Sequence, residues 1–94
     1  MSERDTYDPR LVRVGELLTQ KRKALGKDYR SRENFIQQRS REVFDGVPWI
    51  SVRHLSSLER GKNWISIEML IQHAYALEMD PVELFGELLQ AYQA

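Results

Sequence analysis

The dipeptide Asp-Pro stands at residues 8–9 and again at 80–81, and an amphipathic stretch begins at each. An aspartate there accepts from the open N–H groups of a first helical turn, and proline fixes the next φ without sacrificing a needed donor. After Pro9, Leu11, Val14, Leu17, Leu18 and Leu25 recur at helical spacing up to Gly26, and after Pro81 so do Leu84, Phe85, Leu88 and Leu89. Three serines repeat the start signal between them. Ser31 precedes Phe35, Ile36, Val43 and Phe44, and Asp45-Gly46-Val47-Pro48 then breaks the run. Ser51 precedes Leu55 and Leu58, with Gly61 as the stop, and Ser66 precedes Ile67, Leu70, Ile71, Ala74 and Leu77. No stretch alternates like a strand. The pattern predicts an all-α, five-helix bundle, one domain over residues 1–94 with its core at about 9–89.

At 94 residues there is room for a single domain with a thin core, and none for a separate ligand-binding or protease domain. An apolar fraction of 41% with 30% charged residues suits a globular chain. No apolar run is long enough to span a membrane, and Met1–Arg10 is too polar for a secretory leader. The absence of cysteine removes disulfides, thiolate–zinc sites and thiol catalysis, in keeping with a reducing, cytoplasmic location.

The net charge of zero conceals a division. Residues 1–41 hold 11 Lys and Arg against 6 Asp and Glu, whereas residues 42–94 hold 3 against 8, and no basic residue follows Lys62. One side of the fold is expected to face a polyanion and the other to face elsewhere.

Catalysis finds no constellation. His54 and His73 fall on different helices, neither has a second ligand at zinc spacing, and no glycine-rich loop can cradle phosphate. His73 borders the apolar stripe of the fourth helix and reads as a packed residue. Glu83 and Glu87 read as an exposed i, i+4 pair. The sequence therefore predicts no enzyme, no metal and no cofactor.

The third helix is short and polar, with Ser51, Val52, Arg53, Ser56 and Ser57 expected outward and Leu55 and Leu58 inward. Such a helix, held from behind by a bundle, suits the major groove of double-stranded DNA, where residues of its first turn reach base edges. Arg32 and Lys62 would hold phosphates on either side. The order Leu55, Leu58-Glu59-Arg60-Gly61-Lys62, Ser66-Ile67-Glu68-x-Leu70, Ala74-x-x-Leu77, Asp80-Pro81-Val82-Glu83-Leu84-Phe85, preceded by Val14-Gly15-Glu16-x-Leu18 and Arg22-x-x-x-Gly26, resembles the Cro/phage-repressor (lambda-repressor-like, Xre) helix-turn-helix family. The resemblance covers about Leu11 to Leu88. It implies a lambda-repressor-like bundle, a sequence-specific transcriptional regulator, contacts to bases from Ser51, Val52, Arg53 and Ser57, and an ion pair between Arg22 and Glu59.

The chain departs from the family pattern in two places. The segments between Gly26 and Ser31, and between the second helix and Ser51, are both longer than usual, and the latter reads Phe44-Asp45-Gly46-Val47-Pro48-Trp49-Ile50. Trp49 and Ile50 are expected to plug the edge of the core. Arg39 and Arg41 lie beside this extra segment and, with Arg32, Lys62, Asn63 and Trp64, are the expected phosphate contacts. Regulators of this kind act as dimers on pseudo-palindromic operators, and Leu84, Phe85, Leu88, Leu89 and Tyr92 form the expected homodimer interface. Two rival readings keep the same fold: a protein-binding adaptor, and an antitoxin that also neutralises a toxin.

Overall fold

The computed structural model describes residues 8–94; the polar start Met1–Tyr7, where no leader was expected, lies outside them. Five α-helices follow one another: α1 Pro9–Ala24, α2 Arg32–Val43, α3 Val52–Glu59, α4 Ile67–Ala76 and α5 Pro81–Gln93, with a 3₁₀ turn at Lys27–Tyr29. No strand occurs among the described residues. All five start signals act as caps. The Asp8 carboxylate accepts from the Arg10 N–H, Ser31 from Asn34, Ser51 from His54, Ser66 from Met69, and Asp80 from both Val82 and Glu83.

α1 is the axis of the bundle, with α5 along one side and α3 across another. Leu11, Val14 and Leu18 of α1 meet Phe35, Leu55, Leu58, Leu70, Ala74, Leu84 and Leu88 in one core. The crossing of α1 and α3 is close because it is made at glycines. A β-carbon on Gly15 would stand 2.7 Å from the Leu58 carbonyl oxygen, and one on Gly61 would stand 2.6 Å from the Val12 Cα. Gly61 also turns the chain at φ +74°, a conformation open to glycine at little cost.

The extra segment before α3 belongs to the core, as its sequence suggested. Trp49 and Ile50 are buried, the Trp49 ring stacks on Phe44 at 5.0 Å, and its Nε1–H donates to the Ile36 carbonyl at 3.2 Å. The Ser40 hydroxyl donates to the Val47 carbonyl at 2.9 Å and holds the loop against α2.

Two expectations about packing need correction. α4 turns Leu70, His73, Ala74 and Leu77 inward and leaves Ile67 and Ile71 exposed. His73 takes their place: its ring, completely buried, meets Trp49 edge-on at 5.7 Å and lies tilted against Phe35 at 6.3 Å. In α5, Leu84 and Leu88 are core residues and cannot meet a second chain, because α5 is the element that closes the bundle over α1. Phe85 and Leu89 remain exposed, and Tyr92 lies against Trp64 at 4.8 Å.

Candidate nucleic-acid interface

α3 is helical because Ser51 caps it and Leu55 and Leu58 anchor one face. Its first turn stands clear of the molecule, with Ser51, Val52, Arg53 and His54 all exposed. The second half sinks against α1. Ser57 is therefore buried, 8% exposed, and leaves the set of base-facing residues expected from sequence. The reason is Gly15, which lets the Leu58 and Glu59 backbone approach α1 so closely that this turn has no free face.

The orientation of α3 is set at its C-terminal end by Glu59. Arg22 of α1 holds the carboxylate with two parallel bonds, Nε–H to Oε2 at 2.8 Å and Nη2–H to Oε1 at 2.9 Å, so the expected ion pair is formed. Arg32, at the start of α2, adds Nε–H to Oε1 at 2.8 Å. The remaining Nη1 of Arg22 donates to the carbonyls of Tyr29 and Arg30, which ties the 3₁₀ turn into the same network. Burial tends to raise the Glu59 carboxyl, but hydrogen bonds from Arg22 and then Arg32 outweigh it, and the group lies below its ordinary value. One buried carboxylate thus connects α1, α2 and α3.

The expected phosphate contacts divide. Arg32 is committed to Glu59, though a third of its side chain stays accessible. Arg39 is buried and corrects the sequence reading. It lies one turn after Phe35 on the inner face of α2, bonds Glu42 at 3.0 Å and Glu78 at 2.9 Å, and covers the Tyr29 ring at 4.6 Å. Arg41 is exposed on the outer face of α2, beside an open groove of about 480 Å³ formed with Gly46, Pro48 and Val52. Lys62 and Asn63 follow α3 half-buried, the Lys62 N–H donating to the Ser57 carbonyl at 3.0 Å. The Asn63 Oδ1 is buried and accepts from no described group. Trp64 is partly exposed but is tied to α5 through Tyr92, over which Arg10 sits at 4.9 Å.

A feature that the sequence reading missed completes the surface. Lys23, Arg30, Ser31 and Arg32 line a shallow hollow of about 310 Å³ that reaches Val52 at the start of α3. These cations come from the end of α1, from the turn before α2 and from the first residue of α2, and they are brought together by the Arg22 bonds to Tyr29 and Arg30 and by the Glu59 carboxylate that Arg22 and Arg32 share. The basic excess of residues 1–41 was the available signal, but it did not identify which cations would meet.

Among the described residues no group of three His, Cys, Asp or Glu side chains could hold a metal ion, and no helix is long and apolar enough to cross a membrane. No family model, curated protein or solved structure matches this chain.

Proposed function

We propose that this chain is a sequence-specific DNA-binding regulator of the Cro/phage-repressor type, acting in the cytoplasm, with α3 as its reading helix. The observation that carries the reading is the exposed first turn of α3 beside the hollow lined by Lys23, Arg30 and Arg32. Side chains that can read bases and cations that can hold the backbone are thereby adjacent. An eight-residue helix is about 12 Å long, and the major groove is about 12 Å wide. Arg53 would take a guanine edge with two bonds, worth about 1–3 kcal/mol of discrimination, Val52 would meet a thymine methyl, and Ser51 would donate or accept at a neighbouring base. Arg30, Lys23 and the accessible part of Arg32 would neutralise phosphates on one side, with Lys62 on the other.

The Glu59 network gives this helix a fixed angle, so little ordering remains for the moment of binding. In this reading a homodimer binds a two-fold operator, and occupancy blocks polymerase. Phe85 and Leu89 are the α5 residues left for the dimer contact once Leu84 and Leu88 are assigned to the core. The second reading, a partner-binding adaptor or toxin-neutralising antitoxin, is favoured by the zero net charge and by exposed apolar residues away from α3.

Selection of genomic DNA fragments with the purified chain, followed by fluorescence anisotropy on the best fragment across a salt series, tests the proposal. An inverted repeat bound at about nanomolar Kd with a steep salt slope is expected. Weak binding that ignores sequence would overturn it.

A further inference from the structure

The 3₁₀ turn Lys27–Tyr29 lies in one of the two segments where the chain is longer than the Cro/phage-repressor pattern, a departure that α3 does not explain. By itself the turn is weak. Gly26 enters it at φ +135° without a side-chain cap. Its two backbone bonds, from the Tyr29 N–H to the Gly26 carbonyl and from the Arg30 N–H to the Lys27 carbonyl, are 3.1 and 3.5 Å long. So short a 3₁₀ turn has poor bond geometry, and the position of the residue that follows must be fixed from elsewhere. That residue is Arg30, which lines the hollow beside α3.

Tyr29 supplies the hold. Its ring meets Phe35 edge to face at 6.3 Å and lies under the Arg39 guanidinium at 4.6 Å. Its hydroxyl donates to Oε1 of Glu42 at 2.9 Å, and Arg39 bonds the same oxygen at 3.0 Å. Arg39 is anchored in turn to Glu78, just past α4, at 2.9 Å. The Tyr29 carbonyl accepts from Arg22 at 3.0 Å. Ring, hydroxyl and carbonyl of this one residue are thus tied to α1, to α2 and, through Arg39, to the end of α4.

Arg30 is the reverse case. Its carbonyl accepts from Arg22, but the residue is exposed and its guanidinium forms no ion pair among the described residues. A cation fixed at its root and free at its tip suits a phosphate, because little of its backbone has to be ordered when the contact forms. We propose that Tyr29 is a positioning residue for DNA binding, holding the 3₁₀ turn so that Arg30 stands beside Lys23 and Arg32 in the hollow that reaches Val52. The proposal rests on the DNA-binding reading above, and it gives the longer Gly26–Ser31 segment a use: it carries one more phosphate contact.

The test is anisotropy on the best selected fragment and on a scrambled duplex, across a salt series, with single and double variants of the full chain. Tyr29→Leu should weaken binding to both duplexes alike, by about threefold to tenfold, and reduce the salt slope by about 1, as Arg30→Gln does. The ratio of specific to non-specific affinity should stay as it is. Tyr29→Phe keeps the ring under Arg39 and loses only the hydroxyl bond. It should melt close to the parent and show the same effect in smaller measure, and it decides the question if Tyr29→Leu does not fold. Adding either change to Arg30→Gln should weaken binding no further, because the cation that Tyr29 places is already gone. A merely structural tyrosine gives the opposite result: its loss acts equally with and without Arg30, or lowers the preference for the selected fragment. Either outcome would overturn the proposal, as would parental affinity and salt slope in both Tyr29 variants. A parent chain that binds the two duplexes equally, and still loses salt slope in Tyr29→Leu, would instead refute sequence reading by α3 and support the role of Tyr29. Binding of neither duplex by the parent chain would overturn both.

Discussion

Gly15 and Gly86 are both helical glycines, and replacing each with alanine should change stability in opposite directions. Alanine is intrinsically better than glycine within a helix by about 0.8–1 kcal/mol. At Gly86, on the exposed side of α5, a new β-carbon meets nothing within 4 Å, and that gain should appear in full. At Gly15 the same carbon would stand 2.7 Å from the Leu58 oxygen and closer still to the Glu59 oxygen. Both are backbone atoms, so no side-chain rotation relieves the contact. α1 and α3 must move apart until these contacts reach the 3.4 Å of ordinary contact, which strains the Arg22–Glu59 bonds spanning the same gap. Overpacking of this kind costs about 1–3 kcal/mol, and the rigid neighbours place it at the upper end, for a net loss of about 2 kcal/mol after the helix gain. For a domain of this size that is a fall in Tm of about 8–16 °C, against a rise of about 4–8 °C for Gly86→Ala. Differential scanning calorimetry of the two variants reads both. If Gly15→Ala melts at or above the parent temperature, the crossing of α1 and α3 is not held as tightly as these contacts require.

The Glu59 network and the buried histidine give two more predictions. Arg22→Met leaves a fully buried carboxylate with Arg32 alone and should cost about 3 kcal/mol in urea denaturation, whereas adding Glu59→Leu to it should recover much of the loss. His73 is pushed down from its ordinary 6.5 to about 4, chiefly by burial, and neither ring nitrogen has a partner. Protons therefore bind the unfolded chain more readily between those values, so stability should fall as pH drops from 6.5 towards 4, by about 1.4 kcal/mol per unit at most. Urea midpoints across that window should show the slope in the parent chain and a flatter profile in His73→Leu. Below it, protonation of Glu59, whose folded value is depressed, should remove further stability from both.

How far the sequence could be read depended on whether a residue's role was local. Asp8, Ser31, Ser51, Ser66 and Asp80 act on N–H groups two or three positions ahead, so all five helix starts were visible in the chain itself. Trp49 and Ile50 were also legible, since large apolar residues in a short chain have few places to go other than the core. Rotation about a helix axis was not. Ile67 and Ile71 share a wheel with Leu70 and Ala74, and only the packing of α4 on α2 and α5 decides which pair is inward. Arg39 looked like a surface cation because its partners, Glu78 and the Tyr29 ring, lie far from it in sequence. Ser57 looked outward because the depth to which α3 sinks depends on Gly15, forty-odd positions earlier. The Arg22–Glu59 pair was expected through the family resemblance, while the third member, Arg32, and the carbonyls of Tyr29 and Arg30 were not.

The central claim is that the exposed first turn of α3 reads DNA sequence, and two alanine variants test it most directly. On the best selected fragment and on a scrambled duplex, Arg53→Ala should lower the ratio of specific to non-specific affinity by about 5- to 150-fold, the equivalent of 1–3 kcal/mol, and leave the salt slope nearly unchanged. Lys62→Ala should weaken binding to both duplexes alike and reduce the salt slope by about 1. If both variants bind both duplexes as the parent chain does, α3 is not the reading helix.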